Sequence, residues 1–214
     1  MIANVDVLKF YENMSKHANY DQNCVKLKHN TDYTIIDAEF ILKHANEDTD
    51  ILDIGTGTGL IVNKMYNRVK SIECIEPFEE FTKYVTKAPG ISIVNTNIFD
   101  YNTDKKFGMI TIFGTMHHFN KKEAEKIYSI CYDLFRKNGK LIVKNQFGIK
   151  EDVVVSGYSE EQKTDYYASY RYIQDEIKTL ANIGFENIQI FDIYPPEANR
   201  WDNTRFYAIV AEKN

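Results

Sequence analysis

The sequence predicts an α/β fold in which a doubly wound, mostly parallel sheet carries helices on both faces. Short apolar stretches with strand character alternate with segments of helical periodicity over residues 34–145. One of these stretches runs directly into a glycine-rich turn at 53–59. Alternating strands and helices favour a parallel sheet covered on both sides. A length of 214 residues suits one such domain, here spanning 1–214.

The elements follow in order along the chain. Strands are predicted at 50–54, 70–75, 91–95, 109–113 and 140–144, and helices at 34–43, 60–66, 79–86 and 121–136. The last helix has Ala124, Ile127 and Cys131 at helical spacing, and Asn138-Gly139 ends it as a turn. Residues 1–45 are expected to form an N-terminal helical lid.

The pattern changes after residue 145. Ser159-Glu160-Glu161-Gln162 has the form of a capping box and predicts a helix to about residue 182, stopped by Gly184. The spacing of Tyr166, Tyr170, Ile173, Ile177 and Leu180 gives this helix a core-facing stripe. Residues 146–182 are thus predicted to form a substrate-side insertion with a helix. Two strands, at 188–194 and 205–211, follow.

The glycine-rich turn is typical of a nucleotide site. A strand, a glycine-rich turn and a helix in succession let the backbone approach a ligand and present free amides to it. The glycines stand at every second position, Gly55, Gly57 and Gly59, and Asp53 precedes them by two residues. A dinucleotide fingerprint needs its third glycine at Leu60, and a P-loop needs Lys-Ser/Thr after the last glycine, so both are excluded.

A second acid, Glu76, ends the next apolar stretch about 20 residues beyond the turn. A carboxylate at the tip of a second strand accepts hydrogen bonds from the two hydroxyls of an adenosine ribose. The sequence therefore predicts a ligand of the adenosine type along this edge of the sheet.

Together, the turn at 53–59 and Glu76 resemble the cofactor motifs of the class I S-adenosylmethionine-dependent methyltransferases. The runs 107–110, 116–119 and 136–141 resemble the fourth- and fifth-strand signatures of that family, and the ordered matches cover roughly residues 50–145. The resemblance implies a Rossmann-like, seven-stranded sheet whose last strand is antiparallel. It also implies S-adenosyl-L-methionine as the methyl donor and S-adenosyl-L-homocysteine as the product.

The resemblance implies roles for individual residues. Asp53 and the turn are expected at the methionine end of the cofactor, Glu76 at the ribose, and Asn97 at the adenine amino group, with Asp100 as the alternative. Tyr11 and Tyr20 either cover the cofactor as a lid or pack an N-terminal helix on the sheet. The full set of expected cofactor residues is Asp53, Gly55, Thr56, Gly57, Gly59, Glu76, Pro77, Asn97, Ile98, Thr115, Tyr11 and Tyr20.

Two histidines, His117 and His118, follow the fourth predicted strand, at the edge where open α/β sheets bind ligands. Imidazole titrates near neutral pH, so either is a candidate general base. The alternative is that this His-His-Phe sequence positions the loop and the cofactor. The positions after the fourth and fifth strands offer Gly114-Thr115 and 144–146 in place of carboxylates, so no catalytic metal is predicted.

Substrate contacts are expected from strand ends and loops after residue 145. Arginine suits an anionic substrate, whereas Trp and Tyr suit a sugar or an aromatic ring. The candidates are Asn145, Gln146, Tyr158, Tyr167, Arg171, Arg200 and Trp201.

The composition of the chain restricts its expected cellular location and its binding partners. The net charge of -5 and the pI of about 5.6 argue against a nucleic-acid partner. Three scattered cysteines read as reduced cytosolic thiols, and neither a secretory signal nor an apolar stretch of membrane-spanning length is present, so we expect a cytoplasmic protein without a membrane partner. The chain is expected to be a monomer or a homodimer.

The predicted function is methyl transfer to a polar small molecule. O-methylation of a sugar or of a surface (capsule) polysaccharide precursor is the leading hypothesis, with phosphoramidate and carboxylate oxygens as further acceptors. Two alternatives stay open: an RNA or protein methyltransferase, and a non-catalytic module that binds S-adenosylmethionine.

Overall fold

A computed structural model describes residues 11, 12, 14, 15, 22–25, 31–159, 164–199 and 201–214. A seven-stranded sheet forms its centre, and a separate two-stranded hairpin follows the fifth strand. The strands of the sheet are β1 (Asp50–Ile54), β2 (Ser71–Ile75), β3 (Ile91–Val94), β4 (Phe107–Phe113), β5 (Phe135–Gly148), β8 (Glu186–Phe191) and β9 (Thr204–Lys213), and those of the hairpin are β6 (Val153–Ser159) and β7 (Thr164–Tyr170).

The strand order in the sheet is β3-β2-β1-β4-β5-β9-β8. Strands β1 to β5 pair in parallel, whereas β9 runs antiparallel to both of its neighbours, β5 and β8. The order reverses between β1 and β4, and open α/β sheets bind ligands at such a switch point, outside the carboxyl ends of the strands. The predicted fold class, including the antiparallel last strand, is confirmed.

Helices cover both faces of the sheet. They are α1 (Thr34–Leu42), α2 (Val62–Met65), α3 (Glu79–Thr82), α4 (Lys121–Leu134) and α5 (Ile173–Ile183), with short 3₁₀ turns at Gln22–Val25, Tyr66–Arg68, Met116–His118 and Pro196–Ala198. Successive residues of a strand point to opposite faces, so Leu52 packs with α4 and α5 while Ile51 packs with α1 and α2. Within the described ranges, no helix is long and apolar enough to cross a membrane.

The helix predicted from residue 159 is wrong over its first half. The chain there forms the hairpin of β6 and β7, and helix α5 begins only at Ile173. The residues predicted to form one apolar face of this helix belong to two different elements. Tyr170 lies on β7, whereas Ile173, Ile177 and Leu180 lie on α5. Tyrosine favours a strand, and β7 has three within 164–170; here cross-strand pairing outweighs the local capping signal.

Smaller differences concern the ends of elements. Helix α4 ends at Leu134 and the chain passes directly into β5, with Asn138 in the left-handed region at a φ of 60°. Helices α2 and α3 are shorter than the predicted 60–66 and 79–86. Strand β8 spans Glu186–Phe191, which leaves Tyr194 free to enter the loop before β9.

Candidate functional site

A cavity of about 320 Å³ lies along the carboxyl edge of the parallel strands. Its wall begins at Asn97 after β3, passes Glu76 after β2 and the glycine turn after β1, and continues past Thr115 after β4 to Lys144 on β5. The order of these groups along the wall follows the order of the strands in the sheet. The segments that the sequence singled out on separate strands therefore meet in one cavity.

The glycine turn needs glycine for two different reasons. Gly55 has a φ of 75°, and a Cβ atom there would lie 2.3 Å from Thr115 Oγ1. Gly57 has a φ of 55°, but a Cβ there would meet no atom within 4 Å, so its backbone faces open space in the cavity wall. Positive φ is costly for other residues. The turn thus brings bare backbone to the cavity surface.

Asp53 at the end of β1 is buried and holds the turn in place. Its Oδ1 accepts a hydrogen bond from the Thr111 hydroxyl at 2.6 Å, and its Oδ2 accepts one from the Thr56 hydroxyl at 2.7 Å. Burial raises the pKa of Asp53, and the two hydroxyl donors partly oppose this change. The carboxyl group therefore links β1, β4 and the turn.

Glu76 lies behind the same turn with 6% of its surface exposed. The Gly57 amide donates to its Oε2 at 3.0 Å, and the Phe78 amide donates to its Oε1 at 3.3 Å. Burial raises the pKa of Glu76 to about 7, although both amides favour the ionised form. A carboxylate has about four acceptor positions, so two remain for a ligand; Pro77 beside it also lines the cavity.

Asn97 and Ile98 line the end of the cavity next to β3. The Asn97 Oδ1 accepts from the amides of Phe99 at 2.8 Å and Asp100 at 3.1 Å, and its Nδ2 donates to the Asp100 carboxylate. Its side-chain oxygen thus stabilises a local turn, which leaves less capacity for the expected adenine contact. Ile98 is buried and supplies an apolar surface.

The two histidines have different surroundings. His118 lines the cavity, and its Nε2 lies 2.8 Å from the Tyr11 hydroxyl, which also lines the cavity. His117 does not line it, and its Nδ1 lies 3.0 Å from Asn145 Oδ1. Burial, followed by the charge of His117, lowers the pKa of His118 well below its usual value, so the ring is neutral at pH 7. Its Nδ1 is buried without a hydrogen-bond partner in the described part of the chain.

Arg171 holds the loop that carries these histidines. Its guanidinium pairs with Glu176 through two hydrogen bonds, at 2.7 and 2.6 Å, and its Nη1 donates to the carbonyls of Met116 and Phe119 at 2.7 Å each. The residue is 4% exposed and does not line the cavity. Its donors are therefore used inside the protein, and it spans the turn that contains His117 and His118.

The other expected substrate residues lie apart from the cavity wall. Gln146 is buried and donates to Thr204 Oγ1 at 2.6 Å. Tyr158 on β6 is largely exposed, Tyr167 lies on β7, and the centroid of the Trp201 ring lies 5.5 Å from that of Tyr170. Asn145 contacts His117 but does not reach the wall. Tyr20 and Arg200 lie outside the described residues.

The sequence reasoning missed a charged group at the β5 end of the wall. Lys144 and Asp37 both line the cavity there and form an ion pair at 3.2 Å. The sequence did contain a signal for this group, because Lys144 directly follows the apolar run 141–143 of a predicted strand, and lysine is rarely buried without a partner. In the parts of the chain that the structure describes, no cluster of three or more His, Cys, Asp or Glu residues suited to a metal ion is present.

Comparisons with known proteins agree with this arrangement. The "Methyltransferase domain" family model matches residues 51–139, which span β1 to the start of β5. Among curated proteins, none matches the sequence.

Three solved structures share the fold at low sequence identity. DhpI in its complex with SAH is 11% identical, with a TM-score of 0.75 and 98% of each chain covered. A protein from Listeria monocytogenes, described as S-adenosylmethionine dependent methyltransferase, is 16% identical with a TM-score of 0.65, covering 83% of this chain and 98% of the other. The glycopeptide N-methyltransferase MtfA, complexed with S-adenosyl-L-methionine, is 10% identical with a TM-score of 0.67, covering 88% of this chain and 99% of the other.

Proposed function

We propose that the chain is a class I S-adenosylmethionine-dependent methyltransferase and that it methylates a polar small molecule at the cavity described above. The observation that carries the proposal is the Gly57–Glu76 contact, which joins a bare glycine turn to a buried carboxylate at the switch point of the sheet. Both features suit a nucleoside ligand.

The order of the strands supports one placement of the cofactor along the wall. Glu76 at β2 would hold the ribose hydroxyls, and Ile98 at β3 would pack against the adenine. The backbone of the turn from Gly55 to Thr58 would face the methionine portion at β1, with Thr115 of β4 beside it, whereas Gly59 does not line the cavity. The methyl group would then lie toward β4 and β5, on the side of His118.

When bound, S-adenosylmethionine supplies an electrophilic methyl group, whose bond to sulfur breaks as the acceptor oxygen bonds to carbon and the electron pair returns to sulfur. Alignment of the reacting atoms provides much of the rate. A hydroxyl acceptor must also lose its proton. His118 is neutral and can take that proton at Nε2 by way of the Tyr11 hydroxyl, which lines the cavity and lies 2.8 Å from it.

The acceptor is proposed to be an oxygen of a sugar or of a surface-polysaccharide precursor, with carboxylate and phosphoramidate oxygens as further candidates. The glycopeptide acceptor named for MtfA is a polar, sugar-bearing molecule methylated on nitrogen, so a product assay must identify the methylated atom. The acidic net charge favours a small molecule over RNA.

Transfer of radiolabelled methyl groups from S-adenosylmethionine to a panel of monosaccharides, sugar acids, sugar phosphates, RNA and peptides tests the proposal. Label should enter a small polar acceptor and fall at least tenfold in His118→Gln when that acceptor is a hydroxyl. Incorporation confined to RNA or protein would replace the small-molecule proposal. Cofactor binding without transfer to any member would favour a non-catalytic module.

A further inference from the structure

A buried charged cluster borders the cavity at β5, and the methyl-transfer step above does not use it. Lys144 donates through Nζ to the Tyr194 hydroxyl at 2.8 Å and lies 3.2 Å from an Asp37 carboxylate oxygen. The Tyr194 hydroxyl lies 2.8 Å from both Asp37 oxygens and donates to that carboxylate. The Lys144 and Asp37 side chains are only 9% and 2% exposed. Three elements, α1, β5 and the loop before β9, thus meet in one polar group.

The cluster lies at the end of the cavity opposite the proposed nucleoside site. Glu76 follows β2, on one side of β1, whereas Lys144 lies on β5, two strands away on the other side. Neighbouring strands are about 4.8 Å apart, so Lys144 is roughly 10 Å from the glycine turn across the sheet. This position is where the acceptor must approach if the cofactor follows the order Asn97, Glu76, glycine turn.

The ammonium group of Lys144 has binding capacity left. It carries three protons, and its contacts within the described residues account for two of them, to Tyr194 and Asp37. The rings of Tyr194, Phe113 and Phe206 surround it at 4.6, 5.6 and 5.6 Å. A buried ion pair is a poor source of stability compared with apolar packing, so its place on a cavity wall indicates a role in binding.

The charges on the wall favour one type of ligand at this end. Among the described residues that line the cavity, Lys144 is the only lysine or arginine, whereas Asp37, Asp53 and Glu76 are acids. His118 is neutral. Asp37 offsets the charge of Lys144 at the β5 end, whereas Asp53 and Glu76 have no cationic partner on the described wall, so an anionic group is repelled less at the β5 end and finds there the wall's one cationic donor.

We propose that Lys144 binds an anionic oxygen of the methyl acceptor, of the carboxylate or phosphate type, and that Asp37 and Tyr194 hold Lys144 in place for it. The inference rests on the proposed function and narrows the acceptor to molecules that carry such a group beside the methylated atom. Tyr194 and Asp37 are positioning residues, and Lys144 is the residue that contacts the acceptor.

Calorimetric titration of inorganic phosphate, and separately of acetate, into the protein saturated with S-adenosylhomocysteine tests this inference. The wild type should bind one or both anions in the millimolar range, and the stronger one identifies the type of group. Lys144→Met should weaken anion binding at least tenfold, and Lys144→Arg should retain most of it. Lys140→Met is the matched control, since Lys140 lies on the same strand and pairs with Glu212 near the surface.

Binding of S-adenosylhomocysteine, measured in the same variants, separates this inference from the proposed function and also reports folding. It should change less than twofold in Lys144→Met. Lys144→Met leaves the Asp37 carboxylate buried without its cationic partner. If that variant does not fold, the double variant Asp37→Asn/Lys144→Met, which lacks this carboxylate, is measured instead.

Three results would overturn the inference while leaving the proposed function intact. They are no anion binding by the cofactor-loaded wild type, equal anion binding by Lys144→Met, and a tenfold loss of S-adenosylhomocysteine affinity in that variant. The last result would assign Lys144 to the carboxylate of the cofactor itself. Failure of the wild type to bind S-adenosylhomocysteine would instead contradict the proposed function.

Discussion

Replacing Glu76 with Gln should make the ligand-free protein more stable and its cofactor binding weaker. The carboxyl is 6% exposed, and burial raises its pKa from 4.5 to about 7. At about 1.36 kcal/mol for each pKa unit, keeping this group ionised costs the folded state about 3 kcal/mol above pH 7.

The sign of the pH dependence follows from the direction of the pKa change. Below pH 4.5 the group is protonated in both the folded and unfolded states, so it contributes no pH dependence. Between pH 4.5 and about 7 the folded state retains the proton longer, so the stability contributed by this group declines as pH rises. Glutamine removes the charge and can still accept from Gly57, but it loses the Phe78 contact, worth about 1 kcal/mol.

The expected net gain for Glu76→Gln is therefore about 2 kcal/mol in the free energy of unfolding at pH 8.5, and no gain at pH 4. Urea denaturation at both pH values measures it. Glu125→Gln, an exposed position on α4, is the control and should change little. Affinity for S-adenosylhomocysteine should fall at least tenfold, or about 1.4 kcal/mol. A variant that is no more stable at pH 8.5, or that binds as tightly, would refute the reasoning.

Three further predictions concern the walls of the cavity. Gly55→Ala should destabilise the fold more than Gly57→Ala in urea denaturation, because only at Gly55 would the new Cβ meet Thr115; equal losses would contradict this. Arg171→Met should cost about 3–5 kcal/mol, since it leaves Glu176 buried without its partner, and adding Glu176→Gln should recover part of the loss. A double variant as unstable as the single one would argue against the pair. The pKa of His118 lies well below 6.5, so the folded state should lose stability as pH falls below 6.5. Nitrogen NMR should show the His118 ring neutral at pH 6. An imidazolium at that pH would be inconsistent with the burial of the ring.

The sequence predicted the part of the site that depends on local backbone conformation and on the ends of single strands. Gly55 and Gly57 indicate a turn of unusual φ, and Glu76 follows an apolar strand, so their place at one sheet edge follows from parallel topology. The Gly57–Glu76 contact depends only on β1 and β2 being neighbours.

The remaining part depends on contacts between distant segments, which carry no local pattern. The Tyr194–Asp37 pair joins residues separated by 157 positions, and Arg171 reaches the carbonyls of Met116 and Phe119 from beyond the hairpin. The hairpin itself was hidden because Ser159 suggested a helix cap, whereas pairing between Val153 and Tyr170 determines the structure. Side-chain partners of this kind emerge only once the chain is folded.

The proposed function requires that the cavity along β1, β2 and β4 bind S-adenosylmethionine and its product. Calorimetric titration of S-adenosylhomocysteine into the purified wild type, with Glu76→Ala alongside, tests it most directly. We expect one site per chain with micromolar affinity in the wild type, weakened about tenfold or more in the variant, which corresponds to at least about 1.4 kcal/mol. A folded wild type that releases no heat of binding, or a variant that binds equally well, would contradict it.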